Sequence, residues 1–265
     1  MTDAPRRFRA LHREGCFVMP NPYDVGSTRI LTGLGFPALA TTSGGFAATL
    51  GRADMTADRD TVVDHVAAVV AATNLPVNVD SERCFADSPE GVAETVRILA
   101  AIGAAGCSIE DWNPSTGEID PLDVSVERVR AAASAASESG IVLTARCEAI
   151  LRRAGGLDMT IERLLAFREA GAEVLYAPAL ADLGDIRRLV AEVGTPVNVL
   201  LMPGGPGVAD LAEAGVRRVS TGSRLAFVAY GALADSAVSL LQAGQIDPGL
   251  PTLDRELAKQ VFVPG

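Results

Sequence analysis

The chain has 265 residues, 48% hydrophobic and 21% charged, enough to bury the core of one large α/β domain. Its formal net charge of −10 includes no basic run, which argues against nucleic acid or an anionic membrane surface as partner. Two histidines, and four cysteines without metal-site spacing, exclude a histidine-rich zinc site and make a Ser-His-Asp triad improbable.

The N-terminal stretch "MTDAPRRFRALHREG" has no apolar signal core and predicts an amphipathic helix carrying His12. Short apolar runs then recur, each followed by a helical pattern. The first four predicted strands are "CFVMPN" from Cys16, "PALATTS" from Pro37, "PVNVDSE" from Pro76 and "GCSIED" from Gly106. Four more follow: "IVLTARCE" from Ile141, "EVLYAPA" from Glu173, "PVNVLLM" from Pro196 and "VRRVSTGS" from Val216. Continuous hydrophobicity is what parallel strands covered by helices require.

Among the intervening helices, Ser88, Ser125 and Thr160 stand where N-caps belong, and Gly106, Gly140 and Gly171 where C-caps belong. His65 lies in one such helix and reads, like His12, as a packing residue. Eight β/α units in this length predict a (β/α)8 barrel spanning residues 1–265. The alternative is a doubly wound open sheet, but the first turn, "NPYDVGST", has neither G-x-G-x-x-G nor a P-loop lysine. Residues 225–265 predict a helical extension, packed either on its own barrel or against another subunit. No apolar run reads as membrane-spanning, since each is short and broken by Gly, Asp or Arg.

A barrel presents its chemistry at the C-terminal ends of its strands. Strand two leads into "TTSGGFAATLGRAD", with Ser43, Gly44, Gly45 and, further on, Asp54. Strand three ends in Asp80 and Glu82, strand four in Glu110 and Asp111, and strand five in Arg146 and Glu148; strand seven carries Asn198. One acid at a strand end reads as a helix cap or a surface ion pair. Acids on consecutive strands would repel unless a cation stood among them, and hard oxygen ligands suit Mg²⁺ or Mn²⁺. The serine–glycine–glycine turn offers backbone N–H groups to a carboxylate or oxyanion, and Arg146 can fork onto a second carboxylate.

In order and at barrel spacing, "NPYDVGSTRILTGLGFPALATTSGG", "VNVDSE", "IED" and "TARCEA" resemble the isocitrate lyase/phosphoenolpyruvate mutase superfamily, from about Asn21 to Arg224. The resemblance implies a (β/α)8 barrel that binds Mg²⁺ and makes or breaks C–C or P–C bonds next to a 2-oxo acid. It implies Asp80 as direct Mg²⁺ ligand, with Asp54, Glu82 and Glu110 holding its waters. Ser43, Gly44 and Gly45 would take the substrate carboxylate or oxyanion, Arg146 an anionic group, and Asn198 a distal carboxylate. Arg146, Glu110 and Ser43 are the expected catalytic residues. Homo-oligomers, dimers or tetramers with exchanged C-terminal helices, are implied as well.

The departures decide the reaction. Lyases of this superfamily carry Lys-Lys-Cys-Gly-His after strand four; here the stretch is "EDWNPSTGEIDPLD", without Cys, His or Lys. Trp112 stands where phosphonate-processing members have their first lysine, "CFA" replaces Gly-Tyr-Gly, and "YAPAL" lacks the lyase glutamate. Cys84 then reads as a structural thiol rather than a nucleophile, and loop 112–123 as the closing, specificity-bearing segment. The expected protein is a cytoplasmic Mg²⁺-dependent lyase or decarboxylase acting on a small 2-oxo or 2-hydroxy di- or tricarboxylate through a metal-stabilised enolate. The alternatives are a P–C bond enzyme and a non-catalytic carboxylate-binding barrel.

Overall fold

Eight strands run parallel in one sheet: β1 (Phe17–Met19), β2 (Leu39–Ala40), β3 (Val77–Asp80), β4 (Gly106–Glu110), β7 (Val142–Arg146), β8 (Val174–Tyr176), β9 (Val197–Leu200) and β10 (Arg218–Ser220). Two further strands, β5 (Trp112–Asn113) and β6 (Glu118–Ile119), form a small antiparallel hairpin. The helices are α1 (Ala4–Leu11), α2 (Val25–Gly33), α3 (Ser43–Thr49), α4 (Arg59–Ala71), α5 (Pro89–Ala101) and α6 (Leu122–Ser139), then α7 (Leu157–Glu169), α8 (Leu183–Val193), α9 (Val208–Glu213), α10 (Arg224–Ala243) and α11 (Arg255–Val261). This computed structural model describes residues 3–246 and 248–262.

Strand order is β1-β10-β9-β8-β7-β4-β3-β2. The ends of that order meet: Ala40 N–H donates to the Pro20 carbonyl at 3.1 Å, and Asn21 Nδ2 to the Thr41 carbonyl at 2.8 Å. The sheet therefore closes as the predicted (β/α)8 barrel, and all eight predicted strands are present.

The caps differ in detail. Ser88 caps α5, and Gly140 ends α6 in the left-handed conformation, as expected. Ser125 and Thr160 instead lie inside α6 and α7, which start three residues earlier because Pro121 and Gly156 hold the extended backbone that precedes a helix. Gly171 sits one position past the Ala170 cap. Gly106 is no cap; it opens β4, where a Cβ would meet Phe8 Cε1 and the Val142 carbonyl at 2.8 Å.

Helix α1 plugs the N-terminal end of the barrel. Phe8 is fully buried and forms one cluster with Phe17, Ala38, Ala105, Val142 and Val174 from the lower strand ends. His12, one turn on, is buried too: Nδ1–H donates to the Phe8 carbonyl at 2.9 Å, leaving Nε2 to accept from Arg218 at 3.3 Å. Burial first, and Arg218 second, lower this imidazole to about 3 and keep it neutral. Its stabilising contribution is fully present above its ordinary value near 6.5 and is lost as pH falls toward 3, at up to about 1.4 kcal/mol per pH unit. Urea unfolding at pH 7, 5 and 4 should show that loss in the wild type and a shallower one in His12→Gln; parallel pH curves would refute it.

At the other terminus, α11 folds back on α2, with Val261 seated against Gly33 so closely that a Cβ there would meet Val261 Cγ1 at 2.5 Å. Helix α10 is the apolar part of the expected C-terminal extension. It is long and apolar enough to cross a membrane by length and composition, and it buries only Ala226. Phe227, Val228, Leu233, Leu240 and Leu241 are exposed along it.

Candidate active site

Parallel pairing in fixed register assembles the upper rim. Glu110 pairs with Arg146 across β4 and β7, and Arg146 with Tyr176 across β7 and β8. Asp80 closes β3, opposite Ser108 and so one inward-facing step below Glu110. The Arg146 guanidinium gathers three carboxylates. Nη1 donates to Asp80 Oδ1 at 2.7 Å, Nη2 lies 3.1 Å from Glu110 Oε2, and Nη2 donates to Glu148 Oε1 at 2.8 Å. It also sits 5.2 Å from the Tyr176 ring centre. Burial opposes its charge, but Glu148, Glu110 and Asp80 outweigh that and hold it firmly protonated. Glu148, expected at the end of strand five but given no role, is fully buried and orients Arg146 from two residues away.

Asp80 is shared. Its Oδ2 accepts the Ser43 N–H at 3.0 Å, and its own N–H donates to Thr41 Oγ1 at 2.9 Å. The Ser43-Gly44-Gly45 segment is the first turn of α3, not an open loop. Gly45 N–H is taken by the Thr42 cap at 3.3 Å, leaving Gly44 N–H without a partner among the described residues. The glycines are needed for packing as well: a Cβ on Gly44 would meet Ser223 Oγ at 2.8 Å and Asp54 Oδ2 at 3.1 Å.

Glu82 is buried beyond β3 with φ of 50°, and Cys84 and Phe85 follow at 60° and 51°. Three non-glycine residues in the left-handed region are strained, at about 1–3 kcal/mol each. Arg128 of α6, itself buried, pins this loop by donating to the carbonyls of Arg83, Ala86 and Asp87. Burial first, then Asp80 and Asp54, push the Glu82 carboxyl up to about 8 against the pull of Arg146. Burial likewise raises Glu110 well above the carboxylate range, with Arg146 pulling the other way.

The donor set suits a hard divalent cation: carboxyls raised by burial first and by their neighbouring acids second, all oxygen, with Arg146 drawn in among them. Among the described residues no three acids, histidines or cysteines converge closely enough to grip an ion together. Asp80 still has lone pairs free on both oxygens after its two hydrogen bonds. One direct carboxylate, with the others acting through water, is the arrangement the residues allow. Asp54 stands exposed at the mouth, on the cavity wall.

The cavity itself, about 180 Å³, runs from Ser43, Asp54, Leu151 and Pro178 at the mouth to Arg218 inside the barrel. Two expectations change here. No residue of loop 112–123 lines the cavity; the loop is the β5–β6 hairpin, held off it because Asp120 binds Arg83 Nη2 at 2.7 Å and Trp112 stacks on Arg152 at 4.4 Å. Asn198 is largely committed within the barrel: Nδ2 donates to Ser220 Oγ and Oδ1 accepts from Arg218 Nε, both at 2.9 Å. As expected, Cys84 is structural, fully buried with its thiol pushed up to about 11 by burial. His65 stacks on Phe46 at 3.8 Å.

Tyr176, Ser220 and Arg218 were not singled out from the sequence. The signal for the last two was a period-two polar pattern within apolar strands: Asn78/Asp80, Ser108/Glu110 and Arg218/Ser220 face the cavity or its rim, and Thr144, two residues before Arg146, bonds Arg218 inside the barrel.

Known proteins are similar to this chain in sequence and fold. The profile of the phosphoenolpyruvate phosphomutase family matches residues 8–241. A crystal structure of a Burkholderia cenocepacia J2315 protein assigned as a lyase/mutase superposes with TM-score 0.88 at 44% identity, covering 98% of this chain and 92% of that one. An uncharacterised protein of Mycobacterium tuberculosis H37Rv is 32% identical over 92% of both chains. The oxaloacetate decarboxylase of Chromohalobacter salexigens is 29% identical over 97% of this chain and 95% of its own.

Proposed function

The chain belongs to the phosphoenolpyruvate mutase family of the isocitrate lyase/phosphoenolpyruvate mutase superfamily, as a carbon–carbon lyase acting on small carboxylates, and on that premise we propose its reaction. It cleaves a 2-oxo or 2-hydroxy di- or tricarboxylate with Mg²⁺, or Mn²⁺, as cofactor. The carrying observation is the Arg146 clamp on Asp80, Glu110 and Glu148 beside the Ser43 turn. Asp80 would hold the ion directly, and Asp54, Glu82 and Glu110 through water. A cation held there would supply Lewis-acid charge stabilisation to negative charge developing next to the breaking C–C bond.

The chain's own groups do the rest. The Ser43 hydroxyl, the free Gly44 N–H and the one N–H that Arg146 Nη1 has left take the substrate carboxylate. Glu148 fixes the plane of the Arg146 guanidinium. Burial pushes the Tyr176 phenol up to about 12, so it stays an O–H donor on the cavity wall. Incubation of oxaloacetate and alkylmalates with Mg²⁺ should release pyruvate or glyoxylate. Silence across that panel together with no metal uptake would sink the reading. Conversion of phosphonopyruvate seen by ³¹P NMR would move it to P–C chemistry, and oxalate binding without any turnover to a carboxylate-binding barrel.

We further propose that a second copy covers the exposed apolar side of α10 in a dimer or tetramer. Light scattering should find that assembly; a monomer at micromolar concentration would count against it. Four free cysteines, three of them buried, support a cytoplasmic setting.

A further inference from the structure

At the inner end of the cavity, Arg218 is 2% exposed and has no acid within ion-pair distance among the described residues. Its partners are neutral: Asn198 Oδ1 at 2.9 Å, Thr144 Oγ1 at 3.0 Å and His12 Nε2 at 3.3 Å. Three of the five guanidinium N–H groups are used, leaving one on each terminal nitrogen. The other deeply buried arginines differ. Arg163 pairs with Asp111 at 2.7 Å, and Arg128 donates three bonds to carbonyls and lies 3.9 Å from Asp120. An uncompensated buried cation is costly, and burial lowers this guanidinium to about 9.

The cavity is thus polarised, with Asp54 and Asp80 at its mouth and a lone cation on its floor. The packing around that cation is deliberate. His12 presents a lone pair to it because its other nitrogen is tied to Phe8, and Asn198 turns its oxygen inward because its amide nitrogen is tied to Ser220. These contacts aim the guanidinium, and the Phe8 ring 5.9 Å away adds a weak cation–π contact, but no acid meets its charge among the described residues.

We propose that Arg218 receives a second carboxylate of the substrate at the cavity floor, making it the residue that selects dicarboxylates over monocarboxylates. This rests on the function proposed above, which places the reacting carboxylate at the Arg146 end. The reacting end is held at the rim, and the distal carboxylate descends along the barrel axis to the two free N–H groups of Arg218, a bidentate match. Asn198 then acts by holding Arg218, with at most one N–H left for the ligand.

The test uses calorimetry on the full chain with Mg²⁺ and non-cleaved 2-oxo acids. 2-Oxoglutarate and 2-oxoadipate are compared with monoacids of equal length, 2-oxopentanoate and 2-oxohexanoate, and oxalate serves as a rim-only probe. Wild type should prefer at least one diacid over its matched monoacid by about 10–100-fold, the range of a hydrogen bond to a charged group. Arg218→Met should erase that ratio while oxalate binds within twofold of wild type, and Arg218→Lys should recover part of it. Oxalate binding retained, with no diacid preference in wild type or the same preference in Arg218→Met, would overturn the role of Arg218 alone. Failure of wild type to bind oxalate with Mg²⁺ would overturn the proposed function and this role with it. Loss of oxalate binding in both variants would assign Arg218 to the fold instead.

Discussion

Arg146→Met is expected to lower kcat/KM by about 10²–10³-fold or more, the loss seen when one preorganised donor to developing negative charge is removed. The effect should be large because one guanidinium serves two tasks: it faces the substrate from the cavity wall and it neutralises Asp80, Glu110 and Glu148. Without it, Glu110, 4% exposed, loses its one ion-pair partner among the described residues, and Glu148, 0% exposed, keeps only Arg152 at 3.7 Å, at a cost of about 3–5 kcal/mol. That cost has a pH signature. Glu110 is already raised in the folded state by burial, and removing the arginine that pulls it down raises it further. A group raised on folding contributes stability below its unfolded value, near the ordinary 4.5, and loses it as pH rises through the folded value. The variant should therefore be relatively more stable at pH 5 than at pH 8 by urea unfolding. Arg146→Lys should restore stability more than rate, since an ammonium meets charge but cannot fork onto a carboxylate. A variant within tenfold of wild-type kcat/KM, with an unchanged pH profile, would remove Arg146 from the site.

Much of this was legible because the barrel's rules are local. Parallel strands buried on both faces must be apolar along their length, so "PVNVDSE" and "IVLTARCE" announce themselves, and their terminal acids must lie where the βα loops open. The helix starts of α6 and α7 were misplaced because Ser125 and Thr160 do not cap: their hydroxyls donate back to the carbonyls of Asp120 and Gly156 from inside the first turn. What stayed hidden depends on register and on distant partners. Nothing near Glu110 in sequence says that it will face Arg146 rather than water; the β4–β7 pairing does that. The strain at Glu82, Cys84 and Phe85 is held by Arg128, more than forty residues away. Loop 112–123 was expected to close over the site, but the buried Asp120–Arg83 pair tethers it beside the cavity. Arg218 sat in "VRRVSTGS" beside Arg217, and only the barrel interior separates the roles: Arg217 is tied to the Gly15 carbonyl at the outer end, while Arg218 turns inward.

Asp80→Asn should abolish tight Mg²⁺ binding, weakening it by at least about 100-fold, since even groups outside the ligand shell are worth about 10–100-fold in metal affinity. The substitution keeps the shape and one carbonyl-type acceptor for Arg146 Nη1, now at 2.7 Å, but it turns an N–H₂ toward the Ser43 N–H that Oδ2 now accepts at 3.0 Å. That donor–donor contact costs about 1–3 kcal/mol, so a modest drop in stability without metal is expected and is not the diagnostic. The diagnostic is the response to metal. Wild type with oxalate, titrated to a hundredfold excess over the Mg²⁺ dissociation constant, should gain about 2.7 kcal/mol in unfolding free energy. Asp80→Asn at the same concentration should gain almost none, while Glu82→Gln, which removes one water-holding acid but leaves the direct ligand, should keep most of the gain. If Asp80→Asn gained as much as wild type, the ion would not rest on β3 at all. The convergence of Arg146, Ser43 and the buried acids on that carboxylate would then have to be explained as an internal ion-pair network alone.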